Sequence, residues 1–127
     1  ERLASKKGSS DLRLLDVACG IGLQGQMMRM CGFRGQLFGT DVSPGMIARV
    51  QERGCYDQAF VSNANEAAGF GKDHELFDIC LCTGAMELLD HKTALASMAS
   101  VTKEGGELWV SFQHDTDDED DEACSTR

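Results

Sequence analysis

The residues best able to do chemistry stand together near the start of the chain, in the run DVACGIGLQG from Asp16 to Gly25. An acid is followed by glycines at positions 20, 22 and 25. Gly20 and Gly22 permit a tight strand-to-helix turn and let backbone approach a ligand without Cβ clashes, while the first amides of the next helix face the same crevice. A second acid, Asp41, follows Gly22 by nineteen residues, the interval at which a carboxylate at the end of a second strand can accept both hydroxyls of a ribose. A bare turn would account for the glycines but not for Asp41, so the pair implies a nucleotide-like ligand.

Two ligand chemistries answer to this pattern. The glycine triplet also satisfies the dinucleotide fingerprint, which points to a nicotinamide or flavin oxidoreductase. Asp16, four residues before Gly20, argues for the other: a carboxylate there suits the amino group of a cofactor's amino-acid end, as in S-adenosylmethionine, and repels a pyrophosphate.

These residues need a scaffold that brings two strand ends together, and the rest of the chain supplies its pattern. Apolar runs bounded by turn signals predict strands at Leu12–Val17, Gln36–Thr40, Gln58–Val61, Phe77–Cys82 and Glu107–Phe112. Helices are predicted at Leu23–Cys31, stopped by Gly32; at Pro44–Arg53, with Pro44 in its first turn and Gly54 just past its end; and at Lys92–Val101. Strands alternating with helices give an α/β, Rossmann-like, doubly wound parallel sheet with right-handed crossovers and strand order 3-2-1-4-5.

A chain of 127 residues, 42% hydrophobic, suits one compact domain. Its formal charge of -9 is concentrated at one end. Seven acidic residues and one basic residue lie between Asp115 and Arg127, so the body before them is only mildly acidic. We expect 1–114 to be the folded domain and 115–127 a disordered acidic tail with no apolar face to bury. The tail matches a calcium loop only in charge, because Asp120 stands where glycine is needed and Thr126 where glutamate is needed. Lysines and arginines form no basic stripe, so nucleic acid is not an expected partner, and no apolar run approaches a membrane span. Six cysteines with no Cys-x-x-Cys pair read as buried thiols of a reducing compartment rather than as disulfides, a metal site is not expected, and the expected location is cytoplasmic, with the nucleus as alternative.

Four stretches, LLDVACGIGLQG, FGTDVSPGMIARVQERGCYDQ, FDICLCTGAMELL and VTKEGGELWVSF, resemble class I S-adenosylmethionine-dependent methyltransferases from about Leu12 to Phe112. With SPGM and RG-x-Y in register, the second stretch is similar in particular to the methyltransferase-like proteins of the Williams-Beuren syndrome region. The resemblance implies S-adenosyl-L-methionine as cofactor, bound at the turn Asp16, Ala18, Cys19, Gly20 and Gly22. Asp16, Gly20 and Gly22 would surround the methionine moiety and Asp41 would hold the ribose. It puts Val42 and Met46 beside the adenine, and Asn63 with Ala64 where the family usually has an acid contacting the adenine amino group. Thr83 and Gly84 would lie near the transferred methyl. Against a complete domain of the family, the last two strands and the helices before the first strand are expected to be missing. The expected reaction is methyl transfer, to a small-molecule acceptor before a protein one. A binding-only fragment and an NAD-dependent oxidoreductase stand as alternatives.

Other residues have plainer readings. Met27, Met28 and Met30, at helical spacing, are expected to fill the core. The polar group Glu87, Asp90 and His91 is expected to cap the following helix, with Asp90 or Thr93 at its start, rather than to supply a base. Cys82 is expected to be a buried strand residue, since no paired base accompanies it.

Overall fold

The computed structural model describes residues 11–63, 75–83 and 90–111. In chain order these form β1 (Arg13–Val17), α1 (Leu23–Met30), β2 (Gln36–Asp41), α2 (Pro44–Arg53), β3 (Gln58–Val61), β4 (Phe77–Cys82), α3 (His91–Ser100) and β5 (Thr102–Val110). Ala64, Gly84, Glu87, Phe112 and the acidic run 115–127 lie outside the described residues.

The five strands form one sheet in the order β3-β2-β1-β4-β5, and every pairing is parallel. The predicted order is therefore the observed one. Two apolar layers explain the unbroken hydrophobic runs. On one face Leu15, Val17, Phe38, Cys80 and Cys82 pack with Ala94 and Met98 of α3. On the other, Leu14, Leu37, Ile79 and Leu81 pack with Ile47 and Val50 of α2 and with Phe33 and Tyr56. Because β-strand side chains alternate, a strand covered on both sides must be apolar at nearly every position. Cys80 and Cys82 share one face as expected. None of the described cysteines is disulfide-bonded, though Cys31 is exposed and Cys55 half-buried.

Helix ends follow local chemistry. Ser43 caps α2 by accepting from the Met46 amide at 3.2 Å, Pro44 takes the first turn, and Gly54 ends the helix in the left-handed region at φ 74°. At α3 the cap position is Asp90, as expected, but its carboxylate accepts from the Thr93 hydroxyl at 2.7 Å rather than from a first-turn amide. The helix also begins one residue early, at His91.

Two expectations need correction. β5 starts at Thr102, five positions before the predicted Glu107. Thr102 pairs with Phe77 and Glu107 with Ile79, so Lys103–Gly106 bulges opposite Asp78 alone. Gly105 takes φ +84°, and a Cβ on Gly106 would lie 2.7 Å from the Asp78 carbonyl oxygen, so glycine at both positions is what the bulge requires. Second, of the three methionines of α1 only Met28 packs against the core. Met27 is 58% exposed and Met30 77%, and with Leu23 they leave an apolar stripe of α1 at the surface.

The edge of the sheet at the strands' amino ends is held by arginines. Arg13 donates to Gln36 and to the carbonyls of Glu75 and Leu76, with its guanidinium over the Phe38 and Phe77 rings at 4.7 and 5.0 Å. Arg29 donates to the carbonyls of Cys55, Phe33 and Gly35 and to Asp57. Functional residues are thereby left to the opposite edge.

Candidate functional site

All strands being parallel, their carboxyl ends meet at one edge, where such sheets bind ligands. β1 ends in Asp16, which faces the α1 and α2 side and is only 2% exposed. The Tyr56 hydroxyl donates to its Oδ2 at 2.5 Å and accepts from the Gly25 amide at 3.0 Å. Burial pushes the Asp16 carboxyl up to about 7; the Tyr56 hydrogen bond works against that shift, and the negative charge of Asp41 adds to it. Burial and the Asp16 charge push the Tyr56 hydroxyl well up too, so it stays a donor at neutral pH.

The turn after β1 runs through left-handed backbone at Ala18 (φ 58°), Gly20 (φ 60°) and Gly22 (φ 90°). It is pinned to β2 at two points. The Cys19 amide donates to the Thr40 carbonyl at 2.8 Å, and the Gly20 amide donates to Asp41 Oδ2 at 2.9 Å. The other Asp41 oxygen accepts from the Ser43 amide at 3.0 Å. One carboxylate thus joins the glycine turn to the start of α2, and each of its oxygens keeps a lone pair for a further donor.

Cys19 is buried in the turn, and burial first, then the charges of Asp16 and Asp41, push its thiol up to about 12. It is a neutral packing group, not a nucleophile. Burial and Cys82 likewise raise the Cys80 thiol.

Space in the turn fits a ligand. A Cβ built on Gly20 meets nothing within 4 Å among the described residues, so glycine is needed there for its backbone angle and those residues leave the volume beside it open. Gly25 is different. A Cβ there would lie 2.3 Å from Tyr56 Cε1, and one on Gly39 would lie 2.9 Å from the same ring. The third glycine of the motif therefore makes room for a tyrosine between α1 and β2.

The sequence-predicted residues gather as follows. Asp16, Ala18, Cys19, Gly20, Gly22 and Asp41 come together at the carboxyl ends of β1 and β2, where Cys19 and Gly20 are hydrogen-bonded to Thr40 and Asp41, Gly22 to Cys19, and Asp16 to Tyr56. Val42 (65% exposed) and Met46 present apolar surface just beyond β2. Asn63 and Thr83 follow the ends of β3 and β4 on the same edge and are exposed, while Ala64 lies outside the described residues. Sequence reasoning missed Tyr56 as a member of the site. RG-x-Y marked the position, but nothing local signals a contact between residues forty apart. Thr40 is another surprise: its hydroxyl is a buried side-chain oxygen without a partner among the described residues.

Methyltransferases are among the known proteins that this chain is similar to. The family model described as a methyltransferase domain matches residues 14–106. Human methyltransferase-like protein 27 is 34% identical over 93 residues, covering 73% of this chain and 37% of the relative. The ubiquinone/menaquinone biosynthesis C-methyltransferase UbiE of Shewanella halifaxensis is 34% identical over 107 residues, covering 78% and 41%. The chain thus spans about two fifths of the length of these curated relatives. Among solved structures, CalS10, an amino pentose methyltransferase from Micromonospora echinaspora, superposes with a TM-score of 0.69 at 23% identity, covering 87% of this chain and 46% of its own. A TehB-like methyltransferase from Corynebacterium glutamicum superposes with a TM-score of 0.64 at 20% identity, covering 80% and 55%. Because the family match begins inside β1 and runs into the bulge of β5, taking in the glycine turn and both acids, the chain belongs to the methyltransferase domain family.

Proposed function

We propose that this chain is the cofactor-binding part of an S-adenosylmethionine-dependent methyltransferase, with 1–114 as the domain and 115–127 as an acidic tail. The observation that carries the reading is the bond between the glycine turn and Asp41, made beside the open space at Gly20. S-adenosylmethionine, the cofactor of this family, supplies a methyl group already activated on a sulfonium. What remains for the protein is to bind it, align an acceptor for in-line attack and exclude water.

In this reading the turn from Asp16 to Gly22 encloses the methionine end, and Asp16 balances its ammonium. Asp41 accepts the ribose hydroxyls on its remaining lone pairs. Val42 and Met46 flank the adenine, Asn63 with Ala64 accepts from its amino group, and Thr83 stands near the methyl. Two carboxylates at the site favour a cationic sulfonium nucleoside over the pyrophosphate of NAD, and membership of the methyltransferase family supports the same choice over an oxidoreductase.

A small-molecule acceptor is the better reading. It is supported by the relatives: UbiE is a C-methyltransferase of quinone biosynthesis and CalS10 methylates an amino pentose. A nearer kinship with the methyltransferase-like proteins of the Williams-Beuren syndrome region is part of the proposal; the match to a human methyltransferase-like protein supports its coarser half, likeness to methyltransferase-like proteins. Titration calorimetry with S-adenosylmethionine, S-adenosylhomocysteine and NAD tests the reading. We expect both sulfur nucleosides to bind and NAD not to. NAD binding without either nucleoside would overturn it.

A further inference from the structure

We propose that Tyr56 is a positioning residue for the cofactor's amino-acid end: its hydroxyl locks the Asp16 carboxylate and the first turn of α1 into one arrangement facing that end. The proposal rests on the methyltransferase reading and adds a residue from outside the glycine motif.

The geometry carries it. Gly22 stands at the cap position of α1 but has no side chain to satisfy the helix amides. Tyr56, arriving from the loop between α2 and β3, accepts from the Gly25 amide and donates to Asp16 through one oxygen. Its ring fills a slot that only glycine at 25 and 39 leaves open, so the hydroxyl cannot swing away. Asp16 is thereby held at a fixed angle at the end of β1, beside the turn where a ligand ammonium would sit.

The same bond governs ionisation. Among the described residues, the groups facing Asp16 are the Tyr56 hydroxyl from the α2–β3 loop, Asp41 from the end of β2 and Cys19 from the turn, while Cys80 of β4 lies on the other face of the sheet. All three of these described groups are acids or weak acids, with no cation among them. The Tyr56 hydrogen bond is therefore what opposes burial and keeps the carboxylate accessible near neutral pH.

The test compares wild type with Tyr56→Phe, which keeps the ring in its slot, across roughly pH 5.5 to 9. Two probes are titrated: S-adenosylhomocysteine, and methylthioadenosine, which lacks the amino-acid end. Wild-type affinity for S-adenosylhomocysteine should fall up to about tenfold per pH unit below the Asp16 transition near 7. In Tyr56→Phe that fall should begin about one pH unit higher, with affinity regained at alkaline pH. Methylthioadenosine should give parallel curves for both proteins. In the otherwise wild-type chain, Asp16→Asn should abolish the acid-side fall, because an amide does not ionise there. Superimposable curves for wild type and Tyr56→Phe, an equal shift with methylthioadenosine, or an acid-side fall that persists in Asp16→Asn would each overturn the proposal. Failure of wild type to bind either probe would instead overturn the cofactor reading on which it rests.

Discussion

Asp16 is a carboxyl group with almost no contact with water, and its own ionisation becomes a stability problem. Its folded value near 7 lies above the ordinary 3.8. Between those two pH values the unfolded chain has released the proton while the folded chain keeps it. The stabilisation is therefore complete below about pH 4 and is lost as pH rises through about 7. With no ligand bound, unfolding free energy should fall across that window by on the order of a few kcal/mol from this group. Urea titrations in a pH series should show the fall in wild type and a flatter profile in Asp16→Asn. Asp41 has the opposite character: half-buried, it accepts from two backbone amides. Asp41→Ala should weaken S-adenosylhomocysteine binding by roughly 1.5 to 3 kcal/mol for each charge-assisted bond lost, and unchanged affinity by calorimetry would remove the ribose assignment. Thr40 carries a buried hydroxyl without a partner among the described residues. Thr40→Val, which keeps the shape and removes the polar atom, should leave stability unchanged or raise it by about 1 kcal/mol in a denaturant melt.

Helix α1 shows how a single element divides its work. Its amino end starts at Gly22 of the glycine turn, Gly25 and Met28 contribute to the core side, and Leu23, Met27 and Met30 lie exposed. Gly25→Ala should gain about 1 kcal/mol of helix propensity. Its methyl group, however, would overlap the Tyr56 ring at 2.3 Å, and overpacking together with the lost Tyr56 bonds should outweigh that gain. We expect net destabilisation of roughly 2 kcal/mol and loss of the near-ultraviolet tyrosine signature. Periodicity foretold the helix, but it reports only which residues share a face. Whether that face is covered depends on what packs against it, and for this reason the expectation of core methionines failed at Met27 and Met30. β5 has a related history: the run Glu107–Phe112 reads as a strand, whereas Thr102 joins the sheet only because the bulge opposite Asp78 carries the chain back to Phe77.

Across the molecule, labour is split between the two edges of the sheet. Arg13 and Arg29 bind carbonyls at the strands' amino ends, and the glycine turn and both acids occupy the carboxyl ends. A ligand that joins the two turns binds only the folded form, so it should stabilise the whole sheet. S-adenosylhomocysteine at a hundred times its dissociation constant should add about 2.7 kcal/mol and raise the melting temperature on the order of 10 °C. Calorimetric scans should show that rise, and NAD at the same concentration should leave the transition in place.

The chain by itself determined the α/β class, the strand order, and the cluster of Asp16, Gly20, Gly22 and Asp41. Those features are written in local terms: apolar runs of strand length, glycines at a turn, and an acid one strand later, which parallel βαβ geometry must bring alongside. Tertiary structure alone decided the rest. It made Gly25 a slot for the Tyr56 ring, gave Asp16 a buried partner forty residues away, set Asp41 bridging two loops, and left Met27 and Met30 of α1 uncovered. These outcomes depend on which surfaces meet in space, and neither residue type nor spacing encodes a contact between segments that approach only after the sheet has formed.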